Sequence, residues 1–310
     1  MKSFFSGTTI LAIIACMLWA TAFVGIKIGL QYTTPLQFAG IRFFFSGVMI
    51  LPLIKGLTSK ILNLKYYWKS IVWIGFLQTF LLYALFYTGI SMVPGSLGAM
   101  IIGSGPLFAA LVAHFLMKDD KMNFRKLSCI LLGMTGVGII SFGRKDLTME
   151  GGMILIGILI LLLNNIAAGF GNVMVAKDRN QIPPLVMSSF SMIVGGGALF
   201  LFSIPIEGYQ WKTYPVEYYV ALGWLSFLSA AAISIWYTLL TRPGVKVSDL
   251  NMWKFIIPVL GAILSWTILP GEYPDAISLI GMLVIAISLL ALNFFNRKAA
   301  LKKEALRQRL

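Results

Sequence analysis

Apolar residues run through this chain in ten long blocks separated by short polar or basic connections. The blocks cover about 8–27, 36–54, 68–90, 97–117, 124–143, 152–174, 185–206, 218–240, 250–269 and 275–296. Each is long enough to cross a hydrocarbon core, which takes roughly 20 apolar residues in a helix. The longest polar connection, around Lys118–Lys126, leaves no room for a soluble domain between blocks. The pattern predicts an all-α integral membrane protein with ten transmembrane helices.

Composition agrees, with 58% hydrophobic and 12% charged residues and a mean hydropathy of +0.87, far from a soluble domain. The net charge of +14 would suit nucleic-acid binding, but its placement follows topology instead. Lys55, Lys60, Lys65 and Lys69 share one side with Lys118, Lys121, Arg125 and Lys126. Lys177, Arg179, Arg242 and Lys246 follow there, and then the tail Arg297, Lys298, Lys302, Lys303, Arg307 and Arg309. The opposite connections hold Arg144, Lys145 and Lys212 against Asp146, Glu150, Glu207, Glu217, Glu272 and Asp275. Positive connections stay in the cytoplasm, so both termini are expected there, with the basic tail 297–310 able to rest on anionic lipid. The partners expected are the lipid bilayer and a small-molecule substrate, not nucleic acid. The first block has no Ala-x-Ala site and reads as a spanning helix, not a cleaved signal. Cys16 and Cys129 fall inside apolar blocks and read as small buried residues, so neither a disulfide framework, a metal site nor a cofactor is implied.

The chain also repeats itself. At separations of 148–152 residues, Pro35 matches Pro184, Gly47 matches Gly196, Gly75 matches Gly223, and Tyr87-Thr88 matches Tyr237-Thr238. Ser96 and Pro106 match Ser248 and Pro258. Each copy holds five helices, an odd number, so the second must enter the membrane in the opposite sense. The expected organisation is two inverted five-helix repeats, 1–146 and 147–296, followed by the basic tail. Secondary transporters are commonly built this way, with the substrate site between the halves near the midplane.

These residues resemble the drug/metabolite transporter superfamily in its ten-helix EamA-type branch, over nearly the whole chain. The opening helix Leu18-Trp19-Ala20-Thr21-Ala22-Phe23-Val24-Gly25-Ile26-Lys27 is similar to that family's Trp-small-x-x-Phe-x-x-x-Lys start. Arg42 in Phe38-Ala39-Gly40-Ile41-Arg42-Phe43-Phe44 is similar to its second-helix Arg before an aromatic. The Pro-centred runs Gly105-Pro106-Leu107-Phe108 and Pro258-Val259-Leu260-Gly261 resemble its paired fourth and ninth helices. One departure is Lys118-Asp119, where the family's fourth helix closes on Gly-Glu. The resemblance implies a transporter moving amino acids or related metabolites outward.

Several residues could carry transport. Pro106 and Pro258 lack an N–H, so each is expected to free a carbonyl four residues back, at Ile102 and Lys254, and to kink a helix that lines the central cavity. Lys254, Pro258, Gly261 and Ser265 share one face of the ninth block. A charge inside a span is costly and suggests function by default, although Lys254 near a helix end can snorkel. Arg42 and Lys27 have no charged counterpart in the other half, which makes them substrate or gating candidates; Arg42 ranks first. Histidine as a residue type can change charge near physiological pH, so His114 is a candidate for proton coupling, against a plain interfacial role. None of the 11 acidic residues lies deep in a span, which favours facilitated diffusion or exchange over a carboxylate relay. No paired carboxylates or Ser/His/Asp set points to an enzyme. Trp19, Gln78, Tyr83, Tyr87, Asn164, Asn165, Trp236 and Tyr237 would line an aromatic-rich cavity suited to small amphipathic organic molecules.

The expectation is a secondary exporter of amino acids or related metabolites working by alternating access. The competing readings are an importer or exchanger of a nucleotide-like or sugar-linked metabolite, and a lipid-handling membrane protein. The loop charges generate one direct prediction. A single cysteine placed at Lys302 should resist impermeant maleimide added to intact cells and react after the cells are opened; labelling in intact cells would refute the topology.

Overall fold

Helices account for the ordered backbone because hydrocarbon leaves an N–H or C=O no partner outside its own segment. In a computed structural model, residues 7–93, 98, 101–142, 153–178, 182–209, 213–268, 274 and 276–307 are described, and no strand occurs among them. The helices are α1 (Gly7–Gly29), α2 (Pro35–Ile50), α3 (Leu57–Gly75), α4 (Leu82–Ile90), α5 (Gly105–Leu116) and α6 (Phe124–Phe142). There follow α7 (Met153–Lys177), α8 (Pro184–Glu207), α9 (Val216–Thr241), α10 (Val247–Met252), α11 (Ile256–Ile268) and α12 (Ala276–Arg307). Among the described residues, five segments are long and apolar enough to cross a membrane: Pro35–Leu53, Asn63–Ile90, Ile154–Lys177, Pro184–Glu207 and Val216–Thr241. Ser96, Glu272 and the charged connection at 143–152 lie outside the described residues, as do the side chains of Lys27, Pro258 and Ser265.

Two boundaries differ from the sequence reading. The third block begins at Leu57, not near 68, after Gly56 turns the chain in a left-handed conformation at φ 66°. The first turns of α3 carry Lys60, Lys65 and Lys69 beside exposed Tyr66 and Trp68; charge hid a helix that runs out past the apolar part. The last helix likewise continues through the basic tail to Arg307.

Helix pairing sets the core. α2 lies along α8, α6 along α12, α1 along α9 and α11, and α7 against α4 and α5. The α2–α8 seam is the tightest. A Cβ on Gly40 would stand 2.5 Å from the Phe200 amide nitrogen, and one on Gly196 2.5 Å from that of Phe44. At Gly47 it would meet the Ser189 carbonyl at 2.5 Å. Ser189 Oγ closes the seam with a 2.7 Å bond to the Gly47 carbonyl. Lipid tails offer no hydrophobic drive between helices, so small residues that let backbones touch supply dispersion contact instead.

Among the described residues, three irregular segments interrupt the helices. Between α3 and α4 the backbone passes through a π segment, Phe76–Leu81, directly after Gly75, whose absent side chain admits the Ser191 carbonyl of α8. Before α5 a turn at Ser104 breaks the helix, so Pro106 sits in the first turn of α5 and the span is broken there, not bent. Before α11 a 3₁₀ turn, Trp253–Phe255, separates it from α10.

One buried ionic cluster ties the α5–α6 connection to the start of α10. Lys126 Nζ lies 3.0 Å from Asp120 Oδ1, 2.8 Å from Asp249 Oδ1 and 2.6 Å from Ser248 Oγ. Asp120 also accepts the Ser248 amide at 2.8 Å and the Ser248 hydroxyl. Burial alone would raise the Asp120 carboxyl, but Lys126 and the two Ser248 donors outweigh it and hold the carboxyl below the usual range.

Two predictions follow from this packing. Gly47→Leu should separate α2 from α8 at a cost of about 1–3 kcal/mol, seen as a lower melting temperature in detergent. Because the Asp120 pKa is depressed by folding, its stabilisation is complete above roughly pH 4 and is lost as pH falls below that. A pH series of melting temperatures should show this acid loss in the wild type and a weaker one in Asp120→Asn, which should itself cost about 3–5 kcal/mol.

Candidate functional site

The broken helices converge, and each break is satisfied from a different span. At the first, Asn165 Nδ2 of α7 donates to the Ile101 carbonyl at 2.6 Å and approaches Ser104 Oγ at 3.2 Å. Ser104 Oγ itself donates to Ile101 O at 2.6 Å. The freed carbonyl is thus Ile101, one residue before the expected Ile102. At the second break the thiol of Cys16, on α1, donates to the Trp253 carbonyl at 3.3 Å, again one residue before the expected Lys254. Cys16 was read as a small apolar residue; its donor function was visible only once α1 was placed.

Lys254 follows that second break. Its Nζ lies 4.8 Å from the centroid of the Trp236 ring and 5.6 Å from that of Trp19. The two indoles meet edge to face at 5.1 Å and 64°. Cation–π attraction of this kind strengthens where water is scarce. The ammonium therefore turns inward between α1 and α9, among groups that sequence alone had marked. Trp236 Nε1 is buried with no hydrogen-bond partner.

Arg42 stands seven residues along α2, about 10 Å from its first residue by helical rise. Only 3% of it is exposed. Its guanidinium sits 4.4 Å from the Phe43 ring centroid and 5.3 Å from that of Tyr83. Nε and Nη1 have no hydrogen-bond partner. The Tyr87 hydroxyl, within electrostatic reach of Arg42, is also buried and unpartnered. Tyr237, from α9, is buried.

The amides divide into two kinds. Gln78, re-aimed by the π segment, donates to the Ala168 carbonyl at 3.0 Å and to Asn172 Oδ1 at 3.2 Å. Asn172 donates to Asn251 Oδ1 at 2.9 Å, and Asn251 to the Val247 carbonyl at 2.9 Å. This relay joins α7 and α10 to the π segment; Asn172 and Asn251 were missed, although an Asn inside an apolar block was the available signal. Asn165 is committed to the helix break. Asn164 keeps a buried Oδ1 without a partner, as does the Ser226 hydroxyl.

His114 lies elsewhere. It is in the last turn of α5, its Nδ1 accepting the Met122 amide at 3.0 Å and its carbonyl accepting Lys121 Nζ at 2.6 Å. The ring thereby ties the α5–α6 turn together and stands apart from Arg42 and Lys254. Among the described residues no three His, Cys, Asp or Glu side chains gather as metal ligands, and both cysteines are free and buried.

A groove of about 560 Å³ opens between α1, α9 and α11, walled by Gly25, Ile28, Val220, Ala221, Trp224 and Leu264. It carries Gln31 and Glu217 at the end shared with Pro35. A smaller one of about 190 Å³ lies at the opposite end, beside Thr8, Lys246, Asp249 and Trp253. Arg42, Lys254, Trp19, Trp236, Tyr83 and Tyr87 line neither of these two grooves; they form aromatic and basic groupings of their own within the bundle.

Known proteins give this arrangement its context. The family model for "EamA-like transporter family" matches residues 7–142 and 155–294. The uncharacterized transporter YoaV of Bacillus subtilis is 24% identical over 286 residues, covering 91% of this chain and 95% of that protein. YdfC of the same organism, also an uncharacterized transporter, is 26% identical, with 90% of each chain covered. The uncharacterized inner membrane transporter YedA of Escherichia coli is 25% identical over 89% of this chain and 88% of its own. A solved crystal structure superposes with a TM-score of 0.80 at 16% identity, covering 94% of this chain and 98% of the other, which shows the shared fold. Such relatives are membrane transporters and not enzymes, and with the family model spanning almost the whole helical bundle, the chain belongs to the EamA-like transporter family.

Proposed function

We propose that this chain is a secondary transporter that exports amino acids or related small organic metabolites by alternating access between two inverted halves, residues 1–146 and 147–296. The observation that carries the reading is the pair of helix breaks. Cys16 and Asn165 bond the freed carbonyls of Trp253 and Ile101, and 16 with 165, like 101 with 253, fall at the same 148–152 separation that relates the repeated prolines and glycines. The helix pairing supports it too: α1 with α9 and α11 corresponds to α7 with the α3–α4 span and α5, while α2–α8 and α6–α12 pair equivalent spans. Broken helices at the junction of two repeats leave polar backbone beside a path, and rocking one half about the other would expose that path to each side in turn. Trp19, Tyr83, Tyr87, Asn164, Trp236 and Tyr237 supply its walls, with Pro106 and Pro258 holding the breaks. The α2–α8 seam, close at backbone level, is the natural fulcrum. Export, and placement in a bacterial cytoplasmic membrane with both termini inside, draw on the loop charges and on the family.

Purified protein should be stabilised by at least one amino acid in a thermal-shift screen that also contains nucleotides and sugar derivatives. A ligand at 100 times its Kd contributes about 2.7 kcal/mol, which is easily read. Cells producing the chain should then release that amino acid several-fold faster than cells producing Pro106→Trp at matched abundance. Stabilisation by nucleotides or sugar-linked compounds alone would shift the reading to the exchanger, and faster uptake in place of release would overturn export.

A further inference from the structure

We propose that the charge on Arg42 is answered by the transported molecule itself, so that the substrate is an organic anion: a carboxylate or phosphate monoester carried on an apolar or aromatic body. The inference rests on the transporter reading and narrows its substrate class. Arginine stays charged throughout the physiological pH range, and an unpaired charge away from water is costly. Arg42 is nonetheless only 3% exposed, with two of its three nitrogens unpartnered. Among the described residues no carboxylate lies within ion-pairing distance of it.

Glu207, Asp120 and Asp249 are engaged elsewhere. Glu207 accepts the backbone amides of Leu36 and Gln37, both at 2.9 Å, and so caps α2. Asp120 and Asp249 are matched to Lys126. What surrounds Arg42 is aromatic: Phe43 and Tyr83 hold the guanidinium by their ring faces. Tyr87 adds a hydroxyl with no partner, able to donate to the same anion.

The equivalent place in the other half sharpens the point. Tyr87 corresponds to Tyr237 and Arg42 to Ser191 in the sequence repeat. There Ser191 is uncharged, and its hydroxyl donates to the Ser188 carbonyl at 3.3 Å. Arg42 instead carries a charge and leaves Nε and Nη1 without a hydrogen-bond partner. Packing the repeat does not require this difference; an incoming oxyanion does. Lys254, between Trp19 and Trp236 and also lacking an acidic partner among the described residues, provides a second basic station near the other end of the bundle. Charge-assisted bonds from guanidinium to an oxyanion are the strong ones, and their planar geometry is poorly copied by lysine.

The test uses probes that share one body and differ in charge: 3-phenylpropionate, phenyl phosphate, neutral 3-phenylpropionamide and cationic 3-phenylpropylamine. Binding to the purified full chain in neutral detergent is read from melting temperature against concentration. At least one of the two anions should bind tenfold or more tightly than the amide and the amine, and which anion wins separates a carboxylate from a phosphate substrate. In Arg42→Gln that preference should vanish, and in Arg42→Lys it should fall by about tenfold. Retained binding of the amide would show that both variants remain folded; if either loses it, Tyr87→Phe, which should weaken anion binding severalfold, takes its place. A tighter amide or amine, no response to either anion, or an anion preference that survives in Arg42→Gln would overturn the inference. Wild-type export of a neutral or cationic metabolite without anion binding would leave the transporter reading standing and end this one. Anion binding without movement of any compound across proteoliposomes would do the reverse.

Discussion

In hydrocarbon, a backbone carbonyl that loses its helical partner cannot turn to water, and much of this structure follows from how that demand is met. Two spans are broken, before α5 and before α11. Each break leaves a carbonyl that another helix must reach, Asn165 for Ile101 and Cys16 for Trp253. A break is therefore possible only where α7 and α1 stand beside it. The π segment after Gly75 obeys the same rule, turning Gln78 toward the Ala168 carbonyl and a relay of asparagines. Irregular backbone in a bilayer survives only when buried in protein or lining a path.

Close packing between the remaining helices rests on what is absent from them. Along α2 and α8, glycines allow backbone to meet backbone, because apolar side chains gain little by leaving lipid for one another. The seam joins the two regions matched by the family model. Larger residues face outward, including Phe45, Leu201 and Phe202, where lipid tails accept them.

The buried charges fall into two groups with opposite character. Lys126 is surrounded by Asp120, Asp249 and Ser248, and its cost of burial is offset within the protein. Arg42 and Lys254 have ring faces but no acid among the described residues. A cluster complete in itself holds a connection in place, whereas an incomplete one invites a ligand. The difference separates a structural ionic contact from a candidate binding group more clearly than depth or residue type.

The all-helical architecture and the family were legible in the chain, because long apolar blocks and short motifs depend on local composition at the scale of one helix. Arg42, Lys254, Trp19 and Trp236 were legible as candidates because charge and large aromatics stand out against an apolar background. The helical starts at Leu57 and beyond Asn296 were hidden, since polar residues at a bilayer surface form helices without any apolar signal. Only the tertiary structure decided which polar groups are satisfied. It committed Asn165, Gln78 and His114 to backbone and neighbouring amides and left Arg42 and Tyr87 with open hydrogen-bonding capacity. Satisfaction is a property of pairs brought together from distant parts of the chain, so composition and spacing carry no record of it.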